Sequence, residues 1–137
     1  MWGSDKKQQR VKIDTLIGQH TEIRGDLHFS GGLHVDGVIN GDVIAEEGSS
    51  STLVLSEHGR IDGMIRVPNM VLDGVVNGDV HGSEHIELAS CTHVTGDVYY
   101  KMLEMAMGAE VNGRLVHGAE ALRAVADVTE IAARPNT

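Results

Sequence analysis

Apolar residues recur along the chain in a short unit: apolar, any residue, Gly, any residue, apolar. It stands at Ile23–Leu27, Ile39–Val43, Ile61–Ile65, Val76–Val80, Val94–Val98 and Val111–Leu115. The central glycines, Gly25, Gly41, Gly63, Gly78, Gly96 and Gly113, are 16, 22, 15, 18 and 17 residues apart. A period of about 18 residues is the signature of a repeat architecture. A finer period of six runs through Ile17, Ile23, Phe29 and Val35, and through Gly25, Gly31 and Gly37. Inside each run apolar and polar positions alternate, as in Leu27/Phe29 and Leu33/Val35. Alternation predicts short strands with one buried face.

A longer repeat sits on top. Leu33–Val43 and Met70–Val80 match at seven of eleven positions with an offset of 37 residues, which is two units. The longest glycine spacing contains Glu46 to Thr52, a polar, Ser-rich stretch that reads as an inserted loop. Three short strands per period, with successive periods stacked, predict an all-β fold: a triangular parallel β-helix, or β-solenoid. It would run from residue 13 to 117 in about six turns and form a rod about 30 Å long. Its corners are assigned to Gly25, Gly37, Gly41, Gly63, Gly74, Gly78, Gly96 and Gly113, because a corner needs backbone conformations that Gly adopts cheaply. Asp-Gly and Asn-Gly also favour hairpins. Gly37 and Gly41, however, have only three residues between them, too few for a hairpin strand.

Composition narrows the core. The chain of 137 residues is 41% hydrophobic but only 3% aromatic, so the interior is aliphatic and narrow. The net charge of -9 disfavours a nucleic-acid partner. The charge is uneven: residues 1–12 carry Lys6, Lys7, Arg10 and Lys12 against Asp5 alone. That reversal marks a separate, flexible basic tail. The single cysteine, Cys91, cannot form an internal disulfide, and a reducing compartment fits. No apolar run approaches a membrane span and no secretion signal is visible, so a cytoplasmic location is expected.

The blocks themselves resemble a known family. Thr15-Leu16-Ile17-Gly18 followed by Ile23–Leu27 is similar to the opening of a bactofilin domain, and Leu33–Val43 to its central repeat. Gly96–Tyr100, Leu103–Met105 and Gly108–Leu115 are similar to its last turns. The resemblance covers residues 13–117. It implies that the β-helix is right-handed, a hand the period does not determine. It also implies a bacterial cytoskeletal scaffold, not an enzyme, whose filaments assemble end to end, without nucleotide or overall polarity. Its partners would be itself, the inner-membrane surface and cell-wall synthesis or hydrolase proteins, in the service of cell shape.

Elementary chemistry points the same way. A β-helix ends in strands with free N–H and C=O groups, and uncapped edges pair with other edges. Leu103, Met105, Val111, Leu115 and Val116 at one end, and Ile13, Leu16 and Ile17 at the other, are the expected polymerisation interface. Trp2 beside Lys6 and Lys7 is the expected membrane contact, since Trp favours the interface and lysines an anionic surface. Bactofilin tails resemble this arrangement, although Asp5 weakens the positive cluster here. In the C-terminal tail, residues 118–137, Ala119, Leu122, Val125 and Ala126 follow a weak helical period. A short helix there would cap the last turn or bind a partner, in contrast to the proline-rich tails of the family.

Catalytic signatures are weak. His81-Gly82-Ser83-Glu84-His85 matches the H-x-x-E-H string of a zinc metalloprotease class. That chemistry needs a helix, whereas these residues follow a strand and read as solvated turn residues. The remaining histidines are expected to face outward. Cys91 beside His93 lacks a third group. No Walker or Rossmann motif is present, and no cofactor or metal is expected. The alternative function is a hexapeptide-type acyltransferase on a left-handed β-helix. Its unit places a small residue directly after the aliphatic one, whereas here Gly follows two residues later, as in Ile23-Arg24-Gly25.

Overall fold

The computed structural model describes residues 13–46 and 50–118. They form six turns of three strands each. Turn one is β1 (Thr15–Ile17), β2 (Glu22–Arg24) and β3 (Leu27–Phe29). Turn two is β4 (Gly32–Val35), β5 (Val38–Asn40) and β6 (Val43–Ala45), and turn three is β7 (Thr52–Leu55), β8 (Arg60–Asp62) and β9 (Ile65–Arg66). Turn four is β10 (Asn69–Leu72), β11 (Val75–Asn77) and β12 (Val80–Gly82), and turn five is β13 (His85–Leu88), β14 (His93–Thr95) and β15 (Val98–Tyr100). Turn six is β16 (Leu103–Met105), β17 (Glu110–Asn112) and β18 (Leu115–His117). Every third strand stacks in register into one of three six-stranded sheets, and every pairing is parallel. The protein is therefore a parallel β-solenoid with three walls, and the hairpin alternative is excluded.

The core is a set of ladders running along the rod. Wall one contributes Leu33, Leu53, Met70 and Ile86, with Val35, Leu55, Leu72 and Leu88 beside them. Wall two contributes Ile39, Ile61, Val76 and Val94, and wall three Val43, Ile65, Val80 and Val98. All of these are buried. Each such side chain contributes about 1.5–3 kcal/mol of burial free energy. The fully enclosed core is aliphatic, and the inward-facing rings, Phe29 and Tyr100, are only partly buried and lie in the first and fifth turns.

The corners between walls one and two come in two lengths. Gly18–Thr21, Ser56–Gly59, Ala89–Thr92 and Ala106–Ala109 are four-residue turns, closed by amide-to-carbonyl bonds of 2.9–3.1 Å. Turns two and four instead use two residues, Asp36-Gly37 and Asp73-Gly74. The 37-residue repeat is this alternation of long and short corners. Gly37 and Gly74 stand in these corners, but φ is not the reason for glycine there, since their backbones lie outside the left-handed region. A Cβ on Gly37 would lie 2.3 Å from the Thr21 carbonyl oxygen and 2.4 Å from that of Gly18. The short corner nests directly on the long corner of the turn before, and only glycine permits the approach. Gly113 also lies outside the left-handed region and is held by proximity, its Cβ position meeting the Gly96 carbonyl at 1.9 Å. Gly25, Gly41, Gly63, Gly78 and Gly96 do have positive φ.

Two further expectations are corrected. Thr52 belongs to β7 and Ser51 is buried, so the polar insertion is shorter than Glu46–Thr52. His81 and His85 are strand residues, in β12 and β13, and not solvated turn residues. His81 points outward yet is buried, because its ring stacks on Tyr99 with centroids 4.6 Å apart.

Candidate functional site

Among the described residues, every turn but the first and the last has a neighbouring turn on both sides. At the C-terminal end Leu103 continues the ladder of Ile86, Met105 that of Leu88, Val111 that of Val94 and Leu115 that of Val98. These are core positions with no further turn above them among the described residues. Leu88 and Val98 are fully enclosed, whereas Met105 and Leu115 are each 44% exposed. Val116 is placed differently. It is in register with Tyr99 and faces outward on wall three.

At the N-terminal end Ile17 lies beneath Val35 and is buried, while Leu16 aligns with His34 on the outer face and is 63% exposed. Ile13 precedes β1 and is also exposed. The first rung of the core is completed by Ile23, Leu27 and Phe29, partly buried side chains that pack against it. Sequence reading assigned these three to the interior because they belong to the repeated unit. They form an end face because no turn precedes theirs among the described residues. Met102 and Met107 were missed for the opposite reason: they lie outside the ladder pattern.

Among the described residues, every large exposed hydrophobic side chain belongs to the first or last turn: Ile13, Leu16, Met102, Met105, Met107 and Leu115. The same two turns supply the edge strands of all three sheets, β1, β2 and β3 at one end and β16, β17 and β18 at the other. Apolar side chains and unpaired strand edges thus coincide, which is the combination that drives edge-to-edge association.

Polar contacts fix the geometry of these turns. On the corners between walls two and three, an aspartate after the glycine clips a turn to the next in turns one, two, four and five, while turn three has Met64 there. Asp26 accepts the Asp42 amide at 2.9 Å, Asp42 that of Met64 at 2.9 Å, Asp79 that of Asp97 at 3.0 Å and Asp97 that of Arg114 at 2.9 Å. Arg114 ends the ladder by folding its guanidinium back onto Asp97 at 2.9 Å. That hydrogen bond holds the Asp97 carboxyl below the usual carboxylate range. His85–Glu104 at 3.5 Å and His93–Glu110 at 3.2 Å also tie turn five to turn six. Asp36 is lowered chiefly by the Ser56 hydroxyl, with His34 at 3.1 Å assisting. Burial pushes the His81 imidazole down and the Tyr99 phenol up.

The H-x-x-E-H string runs from strand to corner to strand, and His85 pairs with Glu104 of the next turn. Among the described residues no group of three or more His, Cys, Asp or Glu is placed to hold a metal ion. Cys91 is exposed on a long corner, its thiol 3.8 Å from Glu57 of the long corner two turns away. Trp2, Lys6 and Lys7 lie outside the described residues. No described helix is long and apolar enough to cross a membrane.

Comparison with known proteins gives the same answer as the geometry. The family model described as bactofilin, polymer-forming cytoskeletal, matches residues 15–116. Two similar proteins are bactofilins of Myxococcus xanthus (strain DK1622). BacP is 28% identical over 105 residues, covering 77% of this chain and 42% of BacP. BacO is 24% identical over 110 residues, covering 80% of this chain and 84% of BacO. The chain thus spans less than half the length of BacP. No solved structure matches. Among the described residues the large exposed apolar side chains and the strand edges coincide at the two ends of the solenoid, and the chain belongs to the bactofilin family of polymer-forming cytoskeletal proteins.

Proposed function

We propose that this protein polymerises end to end into filaments without nucleotide, and serves as a scaffold with no reaction of its own. Residues 13–117 form the polymerisation unit and residues 1–12 and 118–137 are its appendages. The observation that carries the reading is the confinement of large exposed apolar side chains to the first and last turns. The interface centres on Leu103, Met105, Val111 and Leu115 at one end, with Val116 at its outer margin, and on Ile13, Leu16 and Ile17 with Ile23, Leu27 and Phe29 at the other. Stacking two ends encloses side chains that already stand in core register. Filaments without overall polarity follow from joining like ends.

The test is sedimentation and negative-stain electron microscopy of the purified protein without nucleotide. The wild type is expected to pellet as thin filaments. Leu115→Arg is expected to remain in the supernatant with an unchanged far-ultraviolet β spectrum, because it places a charge beside the terminal edge. Filaments formed by that variant would remove the C-terminal face from the interface. A uniform trimer of the wild type would favour the acyltransferase alternative.

The filament would lie in the cytoplasm against the inner membrane and organise cell shape or cell-wall enzymes. The support is the tail chemistry: Trp2 for the interface, and Lys6 and Lys7 at about 1 kcal/mol each on an anionic surface. One tail binds weakly, but a filament presents many in a row, and their avidity adds. Trp2→Ala is expected to reduce co-sedimentation with phosphatidylglycerol-containing vesicles while filaments still form.

A further inference from the structure

Three Asn-Gly pairs stand at the same place in the repeat: Asn40-Gly41, Asn77-Gly78 and Asn112-Gly113. Each asparagine is the last residue of a wall-two strand, β5, β11 or β17, and its glycine opens the corner to wall three. Each glycine also sits hard against the turn before. A Cβ on Gly41, Gly78 or Gly113 would lie 2.2 Å, 2.2 Å or 1.9 Å from the carbonyl oxygen of Gly25, Gly63 or Gly96 respectively. The pairs thus share sequence, strand position and one neighbour. They differ on the side of the turn that follows.

On that side the Gly41 amide donates to the Asp62 carbonyl at 3.0 Å and the Gly78 amide to the Thr95 carbonyl at 2.9 Å. The side-chain amides are held as well, Asn40 donating to Glu22 at 2.6 Å and Asn77 to Asp62 at 2.7 Å. Among the described residues no turn follows turn six, and neither the Gly113 amide nor the Asn112 side chain has a hydrogen-bond partner. The backbone nitrogen after an asparagine can attack the side-chain amide carbon. A bond forms between that nitrogen and Cγ, the nitrogen's proton passes to the departing amide, ammonia leaves and a cyclic succinimide remains. Water then opens the ring at either carbonyl and gives aspartate or isoaspartate. Glycine favours this step, because it has no side chain to obstruct the approach and its backbone turns freely. An amide bonded between two strands is held in both proton and orientation, and edge strands open more readily than interior ones.

We propose that Asn112 is a deamidation site, selected over Asn40 and Asn77 by the open strand edge of turn six, and that isoaspartate formed there closes this end to assembly. The reactants are the chain itself and water, and the product released is ammonia. Isoaspartate carries the backbone through its side-chain carbon, which adds a methylene to the chain between Val111 and Leu115. Those two residues stand in register with Val94 and Val98 on the terminal face, and the longer backbone takes them out of that register. The change also adds a carboxylate to a turn that already carries Glu104 and Glu110. The selection of Asn112 stands on the strand pairing alone, whereas the closing of the end rests on the filament reading.

Peptide mapping of the full-length protein by mass spectrometry, over a time course at mildly alkaline pH, tests the site. Ageing in water enriched in heavy oxygen marks the conversions that precede digestion, and the unpelleted fraction is mapped so that the ends are free. Asn112 is expected to convert several-fold faster than Asn40 and Asn77, both in the wild type and in Leu115→Arg, and to give isoaspartate as well as aspartate. Equal rates at the three sites, or faster conversion at Asn40 or Asn77, would overturn the selection. Sedimentation tests the consequence. Aged wild type is expected to pellet several-fold less than fresh protein, while Asn112→Gln, whose longer side chain closes the ring slowly, pellets equally before and after ageing. Converted wild type that pellets like fresh protein would overturn the closing of the end, and so would an equal loss in aged Asn112→Gln. Fresh wild type that never pellets would refute the filament reading instead, and the mass measurement still decides the site.

Discussion

The middle turns and the terminal turns are built from the same repeated unit, yet they do opposite things with it. On one ladder of wall one, Leu55, Leu72 and Leu88 are fully enclosed, while Met105 on the same line is half open to solvent. The side chains are of one kind and one orientation. What separates the enclosed positions from the open one is whether another described turn follows. Where such a repeat is interrupted, core positions lie open without any change in the kind of side chain, and repeat proteins commonly cover them with polar capping turns.

The sharpest way to break this comparison is to truncate the same ladder in both regions. Leu72→Ala is expected to cost about 2–5 kcal/mol of stability, since it opens a cavity in a closed core. Met105→Ala is expected to change monomer stability by no more than about 1 kcal/mol, and instead to raise the protein concentration needed for pelleting. Denaturant melts beside sedimentation curves check both. A large stability loss at Met105 would mean that the last turn is already closed within the monomer.

A smaller effect contrasts glycines. A Cβ on Gly74 would lie 2.3 Å from the Gly59 carbonyl and 2.5 Å from that of Ser56, whereas the Cβ position of Gly25, in the first turn, meets nothing within 4 Å. Gly25→Ala is expected to cost about 1–2 kcal/mol for its backbone conformation alone. Gly74→Ala is expected to cost more, because two backbone segments must separate. Thermal melts of the two variants rank them, and the reverse order would show that the corner relaxes easily.

The smallest effect is the response of the last turn to acid. Arg114 depresses the folded pKa of Asp97 below its unfolded value of about 3.9. The stability from this pair is therefore present above about pH 4 and lost as pH falls through the lower folded value. Amide exchange in β18 is expected to quicken across that window before exchange in β11 does. Asp97→Asn, which cannot ionise, is expected to remove the step.

Much of this was legible in the residues. The alternation Leu33/Val35, the recurring glycines and the 37-residue repeat encode strand length, turn length and stacking, because each depends on spacing along the chain. The identity of the end residues was only half legible. Leu103, Met105, Val111 and Leu115 follow from the pattern, but Ile23, Leu27 and Phe29 look like core until the first turn is seen to have no described turn beneath it. The two reasons for glycine were not separable in the sequence either. Gly25 and Gly37 read alike, yet one answers to its own φ and the other to carbonyls sixteen and nineteen residues earlier.

The sequence by itself determined that this chain is a stack of short aliphatic strands with glycine corners, because periodicity is a property of the chain alone. Tertiary structure decided the rest: that long and short corners alternate and nest, that His81 is enclosed against Tyr99 on an outer face, and which apolar residues lie open at the ends. Each of these depends on what the neighbouring turn brings within van der Waals reach, and that distance is set in space and not along the chain.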